Sequence, residues 1–414
     1  MKELNNLSKK TLIVIFILAI TILLTSCTGG RELNTLGIVV ATGLDLEDGK
    51  VIITNEVINP AKGSNSENST TQENTLFIQG IGDTLTEAFV NTTLTFDREL
   101  YLPHSHIVIF GEELAKRGIG DYIDFLSRNN EQREQSFMLV ALGAKAYDVM
   151  GINSGISQSP GRYIYEIVRG DIYNDETRSF TLTEFFKYFY RPHEGFLTGV
   201  LKAVEKPQIN KEISENEMTV ICVKDAAAFK GDKLIGYYTG EEMIGFNFIV
   251  GELKNAIIEF ESPDYLVDKD RINSRAGKLS SVQVFRSKTS QNLKLIDGKL
   301  HLFIDVKFRG ILRETTQGLD ISQPGVLKEM ENSCAKVAKS YMEQALEKGM
   351  KEFESDTFGI GQLVHRQYPD LWKEIEDNWE GIFVNLDYTV NVTARINDTG
   401  FTNTPPNIRK GKQL

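Results

Sequence analysis

Leu24-Thr25-Ser26-Cys27 is the stretch with the most definite chemistry in the sequence. A branched aliphatic residue stands three places before the cysteine, two small residues fill the gap, and the thiol follows, which is the spacing of a lipobox. A lipoprotein signal peptidase works at the bilayer surface, admits only small residues beside the scissile bond, and cuts once the thiol carries a thioether-linked diacylglycerol. Cleavage before Cys27 leaves an amino group for a further acyl chain, so Cys27 is read as the lipid-attachment residue, S-diacylglyceryl and N-acyl. Multiple acyl chains hold a protein lastingly, at about 0.8 kcal/mol per buried CH₂.

The residues ahead of Cys27 fit that reading. Lys2, Lys9 and Lys10 against a lone Glu3 form a basic start, and Thr11 to Leu24 is a run of 14 residues without a charge. A helix needs roughly 20 apolar residues to cross the hydrocarbon core. The run is too short for a permanent span and has the layout of a cleavable leader, so residues 1–26 are expected to be a lipoprotein signal peptide.

Elsewhere the residues that could do chemistry do not assemble into a set. There is no G-x-S-x-G and no G-x-x-x-x-G-K-[ST]. His193-Glu194-Gly195-Phe196-Leu197 begins like a zincin motif but places Leu where the second ligand belongs. His104-Ser105-His106 puts two imidazoles on the same side of a strand, with no third ligand near. The paired acids Glu112-Glu113 and Glu241-Glu242 read as solvated faces of helices or turns, and Trp372 and Trp379 as a core or interdomain stripe on one side of a helix. Cys222 lies in strand-like MTVICV and Cys334 on the inner stripe of a helix, so both read as small buried hydrophobes, with their pairing left open. No catalytic residues, metal ligands or cofactor site are assigned, and the chain is not expected to be an enzyme.

Composition bounds the partners. At 41% hydrophobic and 25% charged the chain is globular, with a formal charge of −11. The leader carries three lysines against one glutamate, so the remainder sits at about −13. Such a balance argues against nucleic acid, which selects basic faces, and it repels anionic headgroups, leaving the acyl chains to hold the membrane.

The periodicity describes an α+β protein with largely antiparallel or mixed sheets packed with helices, in three mixed α/β domains behind the signal peptide. The first covers 27–205: a hairpin across DLEDGK, a polar loop over Pro60–Glu73, helices after Thr84 and after Phe110, strands at Ile107–Phe110 and Ser136–Gly143, then a helical stretch reaching about Lys202. The charged, aperiodic KPQINKEISENE opens a middle domain, 206–280, where TVICV, AAAFKGDKLIGYYT and FNFIVGEL read as short strands. The last, 281–414, has a hairpin turning at Asp297-Gly298, the long amphipathic helix 325–353 with Leu327, Met330, Cys334, Ala338, Tyr341 and Ala345 inward, a final strand in IFVNLDYTVNVTARI and a frayed tail.

Several stretches together resemble the Ger(x)C family, the C-subunit lipoproteins of nutrient germinant receptors in endospore-forming bacteria. After the lipobox, Arg31-Glu32-Leu33 leads into GIVVATGLD, and LPHSHIVIFGEELAKRGIGDYIDFLSRNNEQR is similar to the family's strand, its helix and its Arg-x-x-Glu-x-Arg neighbourhood at Arg128, Glu131 and Arg133. Phe229, Lys230, Asp232, Lys233, Leu234, Gly236 and Glu242 match a second motif. Asp356, Phe358, Gly359, Gly361, Tyr368, Pro369 and Trp372 match a third, Asp-x-Phe-Gly-x-Gly followed by Tyr-Pro-x-x-Trp. Thr28-Gly29-Gly30 follows Cys27 where the family often has Trp-Asp, so that Trp has no counterpart here.

The resemblance implies a non-enzymatic protein of three mixed α/β domains on the outer face of the spore inner membrane. Its implied partners are the integral-membrane A and B subunits, with which it serves the response to nutrients and ion release. A lipid-anchored solute-binding protein of an importer is the competing reading, but it needs two doubly wound domains, whereas the second half here is rich in hairpins. A cell-wall hydrolase needs paired carboxylates or a metal set. Intact-mass analysis of native protein is expected to show a chain beginning at acylated Cys27, and Cys27→Ala an unlipidated precursor; a free Cys27 thiol or a retained Met1 contradicts the anchor.

Overall fold

The computed structural model describes residues 32–58, 75–128, 133, 135–153, 155, 157, 159–170, 175–189, 191, 194–205, 219–262, 278–315 and 319–400. The expected signal peptide, Cys27, the polar loop, the charged segment 206–217 and the tail beyond 400 lie outside the described residues.

Strands β1 (Leu36–Glu47) and β2 (Lys50–Ile58) form the expected hairpin. Its two turn residues, Asp48 and Gly49, have φ of 49° and 79°, the left-handed pair that suits the twist of a two-residue hairpin loop. Strand β3 (Thr75–Gly82) pairs with β2, and helix α1 (Leu85–Thr93) starts on Thr84, whose hydroxyl accepts from Glu87 N at 3.1 Å. There follow β4 (Glu99–Tyr101), β5 (Ile107–Gly111), α2 (Glu112–Arg117), α3 (Gly120–Arg128), β6 (Phe137–Ala141), α4 (Ala146–Met150), α5 (Pro160–Arg169), β7 (Phe180–Thr181) and α6 (Leu182–Phe189). Next come β8 (Gly195–Glu205), β9 (Thr219–Lys230), β10 (Lys233–Tyr238), α7 (Gly240–Val250) and β11 (Ala256–Glu261). The chain closes with β12 (Leu279–Ile296), β13 (Lys299–Glu314), α8 (Val326–Glu347), α9 (Ile360–Gln367), α10 (Pro369–Ile375), α11 (Trp379–Val384) and β14 (Asp387–Asp398).

Two mixed sheets result. The larger runs β10-β9-β8-β6-β5-β1-β2-β3, with β4 beside β1 and β7 beside β6. Its centre, β1, β5, β6 and β8, is parallel, and antiparallel hairpins flank it. Parallel strands are buried on both faces, which explains the unbroken apolar run Ile107–Phe110. Val108 and Phe110 pack with α1, α2, α3 and α6 on one side; Ile107 and Ile109 pack with α4 and α5 on the other. The smaller sheet runs β11-β12-β13-β14, with β14 parallel to β13. Residues 219–262 divide between the two: β9 and β10 finish one edge of the larger sheet, and β11 is the edge of the smaller. One hydrophobic cluster joins Ala226, Ala228 and Tyr238 of the larger sheet to α7, α8 and the inner face of the smaller one.

Helix α8 is the expected amphipathic helix, burying Met330, Cys334, Ala338 and Ala345; residues Lys348–Glu352 continue it as a π-helical turn. Both Cys222 and Cys334 are free, and burial pushes the Cys334 thiol up to about 12.

Four local expectations are corrected. Gly195–Glu205 is a strand, not the end of a helical stretch; its first seven residues are buried, so no alternation marks it. The run FNFIV belongs to helix α7, not to a strand, because α7 is buried on nearly every side and shows no helical stripe. Ile382–Val384 ends α11, and the last strand starts only at Asp387. His104 closes a 3-10 turn and His106 precedes β5, so the two imidazoles do not share a strand face.

Asp45, at the end of the GIVVATGLD motif, accepts from Ala146 N at 2.7 Å and Tyr147 N at 3.2 Å, the start of α4. Gly111 passes so close that a Cβ would strike the Asp45 carboxylate. Burial raises this carboxyl from 3.8 to about 6, against the pull of the two N–H donors. A folded pKa above the unfolded one means that the native state holds the proton longer, so stability falls as pH rises through about 4 to 6. Asp45→Asn removes that titration. In urea melts the wild type is expected to lose about 2 kcal/mol relative to Asp45→Asn between about pH 4 and 7; a difference that does not change with pH contradicts the assignment.

Candidate functional site

The carboxylate of Asp356 holds the junction where the two sheets meet. It is 2% exposed. Oδ1 accepts from Ile360 N at 3.0 Å, and Oδ2 accepts from Gly361 N at 2.6 Å and from Trp379 Nε1 at 3.1 Å. Two of these donors are the unpaired amides of the first turn of α9, which every helix must satisfy from outside its own ladder. Burial raises the pKa of the carboxyl, and the donors oppose it. The backbone of the same residue binds the larger sheet, with Gly195 N donating to Asp356 O at 3.1 Å. The neighbouring Thr357 hydroxyl lies 3.0 Å from the Tyr238 hydroxyl of β10.

The glycines of FGIG have separate reasons. Gly359 stands at φ 71°, in the left-handed region where a Cβ is strained, and that turn brings the amides of 360 and 361 back onto Asp356. Gly361 has ordinary helical backbone, but a Cβ there would come within 2.9 Å of both the Trp372 and Trp379 rings. Those rings lie 5.4 Å apart, edge to face, on α10 and α11, two short helices joined by a 3-10 turn. Both indoles are buried, so they are core.

Beside this junction opens a cavity of about 220 Å³ whose lining includes Arg178, Arg191, Glu194, Phe246 and Phe358. The Arg178 guanidinium pairs with Glu252 at 2.9 Å and lies over the Phe180 and Phe246 rings at 6.0 and 5.6 Å. Arg191 pairs with Glu194 at 3.3 Å and lies over Tyr188 at 5.0 Å. Burial, and then the Asp356 carboxylate, raise the Glu194 carboxyl, with Arg191 opposing. Stacked and paired, these groups stiffen the joint between the sheets.

Several of the remaining motif residues hold backbone or a neighbouring side chain. Asp232 accepts from Gly120 N at 3.2 Å, and its carbonyl accepts from Ile119 N at 2.9 Å, fixing the start of α3 against the β9–β10 turn. Glu242 completes a capping box with Thr239 and pairs with Lys348 at 2.8 Å. Glu112 pairs with Lys116 and accepts from Gly143 N. Arg133 lies 3.1 Å from His106 Nδ1, and burial followed by Arg133 lowers that imidazole's pKa. Among the described residues no three His, Cys, Asp or Glu side chains converge as metal ligands. His193, Glu131 and Cys27 lie outside the described residues.

Comparison with known proteins covers both halves of the chain. Residues 29–203 match the family described as "Spore germination protein N-terminal domain", and residues 224–400 match "Spore germination B3/ GerAC like, C-terminal". The chain belongs to this spore germination family. It is 23% identical to Spore germination protein KC of Bacillus subtilis (strain 168), across 96% of this chain and 98% of that protein. It is 21% identical to Spore germination protein B3 of the same organism, across 77% of this chain and 79% of that one. The crystal structure of the GerBC protein superposes with a TM-score of 0.53 at 17% identity, over 86% of this chain and 96% of that one, and so shares its fold. Asp356, Gly359, Gly361, Trp372 and Trp379, which close the junction, lie within the second of these family matches.

Asp356→Ala is expected to leave three buried N–H groups unpaired and to cost more than about 3 kcal/mol. Gly359→Ala should cost about 1 to 2 kcal/mol and Gly359→Asn less, since Asn tolerates the left-handed region. Thermal melts of the three variants test this ordering; an undisturbed Asp356→Ala variant contradicts it.

Proposed function

We propose that this protein is the lipid-anchored C subunit of a nutrient germinant receptor, held by Cys27 on the outer face of the spore inner membrane and assembled there with integral-membrane A and B subunits. The observation that carries the reading is the full-length likeness to Spore germination protein KC, reinforced by family matches on either side of residue 206.

The physical features support a binding role. Asp45, Asp232, Glu242 and Asp356 bond backbone N–H groups and Trp372 fills the core, so these motif residues preserve a shape. No helix among the described residues is long and apolar enough to cross a membrane, and the lipobox supplies an attachment instead. A lipid tether confines the domains to a thin layer, raising their effective concentration for lateral contacts into the millimolar range. Weak faces then suffice for assembly with membrane subunits.

Spores carrying wild-type protein, Cys27→Ala or a deletion are compared for nutrient-triggered release of spore solutes and for co-purification with the A and B subunits. Deletion is expected to abolish the response through this receptor while triggers that bypass nutrients still work, and Cys27→Ala to weaken both readouts. A normal nutrient response in the deletion, with no other C-subunit gene able to substitute, refutes the proposal.

A further inference from the structure

The outer face of the four-stranded sheet carries an arrangement that costs the fold stability. In the β12–β13–β14 register, Arg286 stands opposite Arg309, and Arg309 opposite Arg395; one row along the same face, Lys288 stands opposite Lys307. All five residues are exposed. Cations directly opposed across a strand pair repel each other, and none of the five forms an ion pair with a described residue. The acid nearest along β13, Asp305, is bonded instead by Asn391 Nδ2 at 3.0 Å. Helices α7, α8 and α9 pack on the opposite face, with Leu302, Ile304, Val306 and Phe308 of β13 in that core. No described element covers the cationic side. Beside the arginine row, Phe285 at the β12 bulge is 48% exposed, and Ile257 on β11 is 57% exposed.

We infer that this face docks on an anionic lipid surface. Five cations in two adjacent rows, on a chain whose net charge is −11, make the rest of the surface repelled by anionic headgroups and this face attracted, so charge alone orients the molecule. A bilayer presents laterally continuous phosphates to a flat array that has no pocket, and an apolar ring and aliphatic chain at the array's margin suit the headgroup boundary. A second copy of the same face is excluded by its own charge. That a membrane lies within reach rests on the reading of Cys27 as a lipid anchor; the electrostatic preference of the face does not.

The test uses the full-length chain and flotation with vesicles of phosphatidylcholine alone or mixed with phosphatidylglycerol, at low and high salt. The phosphatidylcholine arm reads the anchor, and the increment on adding phosphatidylglycerol reads charge. Arg309→Thr with Arg395→Thr is expected to weaken binding to the anionic vesicles by about 30-fold at low salt, leaving the phosphatidylcholine arm unchanged. The exposed cations Lys336 and Lys373 on the helices, changed to Thr together, lose the same charge and are expected to bind nearly as the wild type does. Lys288→Thr with Lys307→Thr repeats the test should the arginine variant fail to fold. Failure of the anchor reading would remove the phosphatidylcholine signal but not the variant-dependent increment. Equal binding of wild type and both sheet variants, or an equal loss in the helix control, overturns the inference. Loss of co-purifying membrane proteins in the sheet variants, with no response to phosphatidylglycerol, overturns it in favour of an acidic protein partner.

Discussion

The Asp356 carboxylate sits where four parts of the chain come together. It satisfies the first turn of α9 and the Trp379 indole, while its own carbonyl receives Gly195 N at the start of β8 and the next residue meets Tyr238 on β10. Helix starts carry partial positive charge and unpaired amides, so a carboxylate is well suited to them, yet this one is out of reach of water. Its burial is tolerable only because donors surround it, and the donors are placed only if Gly359 turns left-handed and Gly361 leaves room for two indoles. The motif is a single mechanical part, and the contact between the sheets hangs on it. Phe358 extends the joint by stacking on Phe246 of α7, with ring centres 5.0 Å apart.

The same device recurs at a distance. Asp45 caps α4, Glu56 accepts from Gly161 N at 2.6 Å at the start of α5, and Asp175 accepts from Lys254 N at 2.7 Å just before β11. In each case an acid reaches an element about 80 to 105 residues away in the chain, which pins elements that local propensity alone would leave free to slide. It also changes the meaning of the net charge. Asp45, Glu56, Asp175 and Asp356 are buried, so part of the acidity counted in the sequence never reaches the surface, while the outer face of the smaller sheet gathers cations. Composition therefore describes the average surface poorly and a particular face not at all.

Much of the fold is legible in residue order. The β1–β2 hairpin shows in DLEDGK, the β9–β10 hairpin in KGDK, and α8 in its apolar stripe, because each is determined by turn chemistry or by a periodicity that one neighbour imposes. Two of the misread segments, α7 and β8, have neighbours on every side. In α7, Met243, Phe246, Phe248 and Ile249 all find partners, so no polar face marks the period, although Thr239, Glu242 and Gly251 bracket the helix with a capping box and a left-handed stop. Strand β8 likewise loses its alternation to burial on both sides, and its Gly195 allows the approach of Ser355 and Thr357.

The sequence by itself determined the mixed α/β character and the family, because turn chemistry and spaced motifs are local properties that adjacent residues carry. Tertiary structure alone decided what the motif acids do and where the charge lies. A carboxylate's role depends on which amides are brought to it, and those of Asp45 and Asp232 come from about 100 residues away. The alignment of Arg286, Arg309 and Arg395 depends on strand register, which is set by the packing of the opposite face rather than by the arginines themselves.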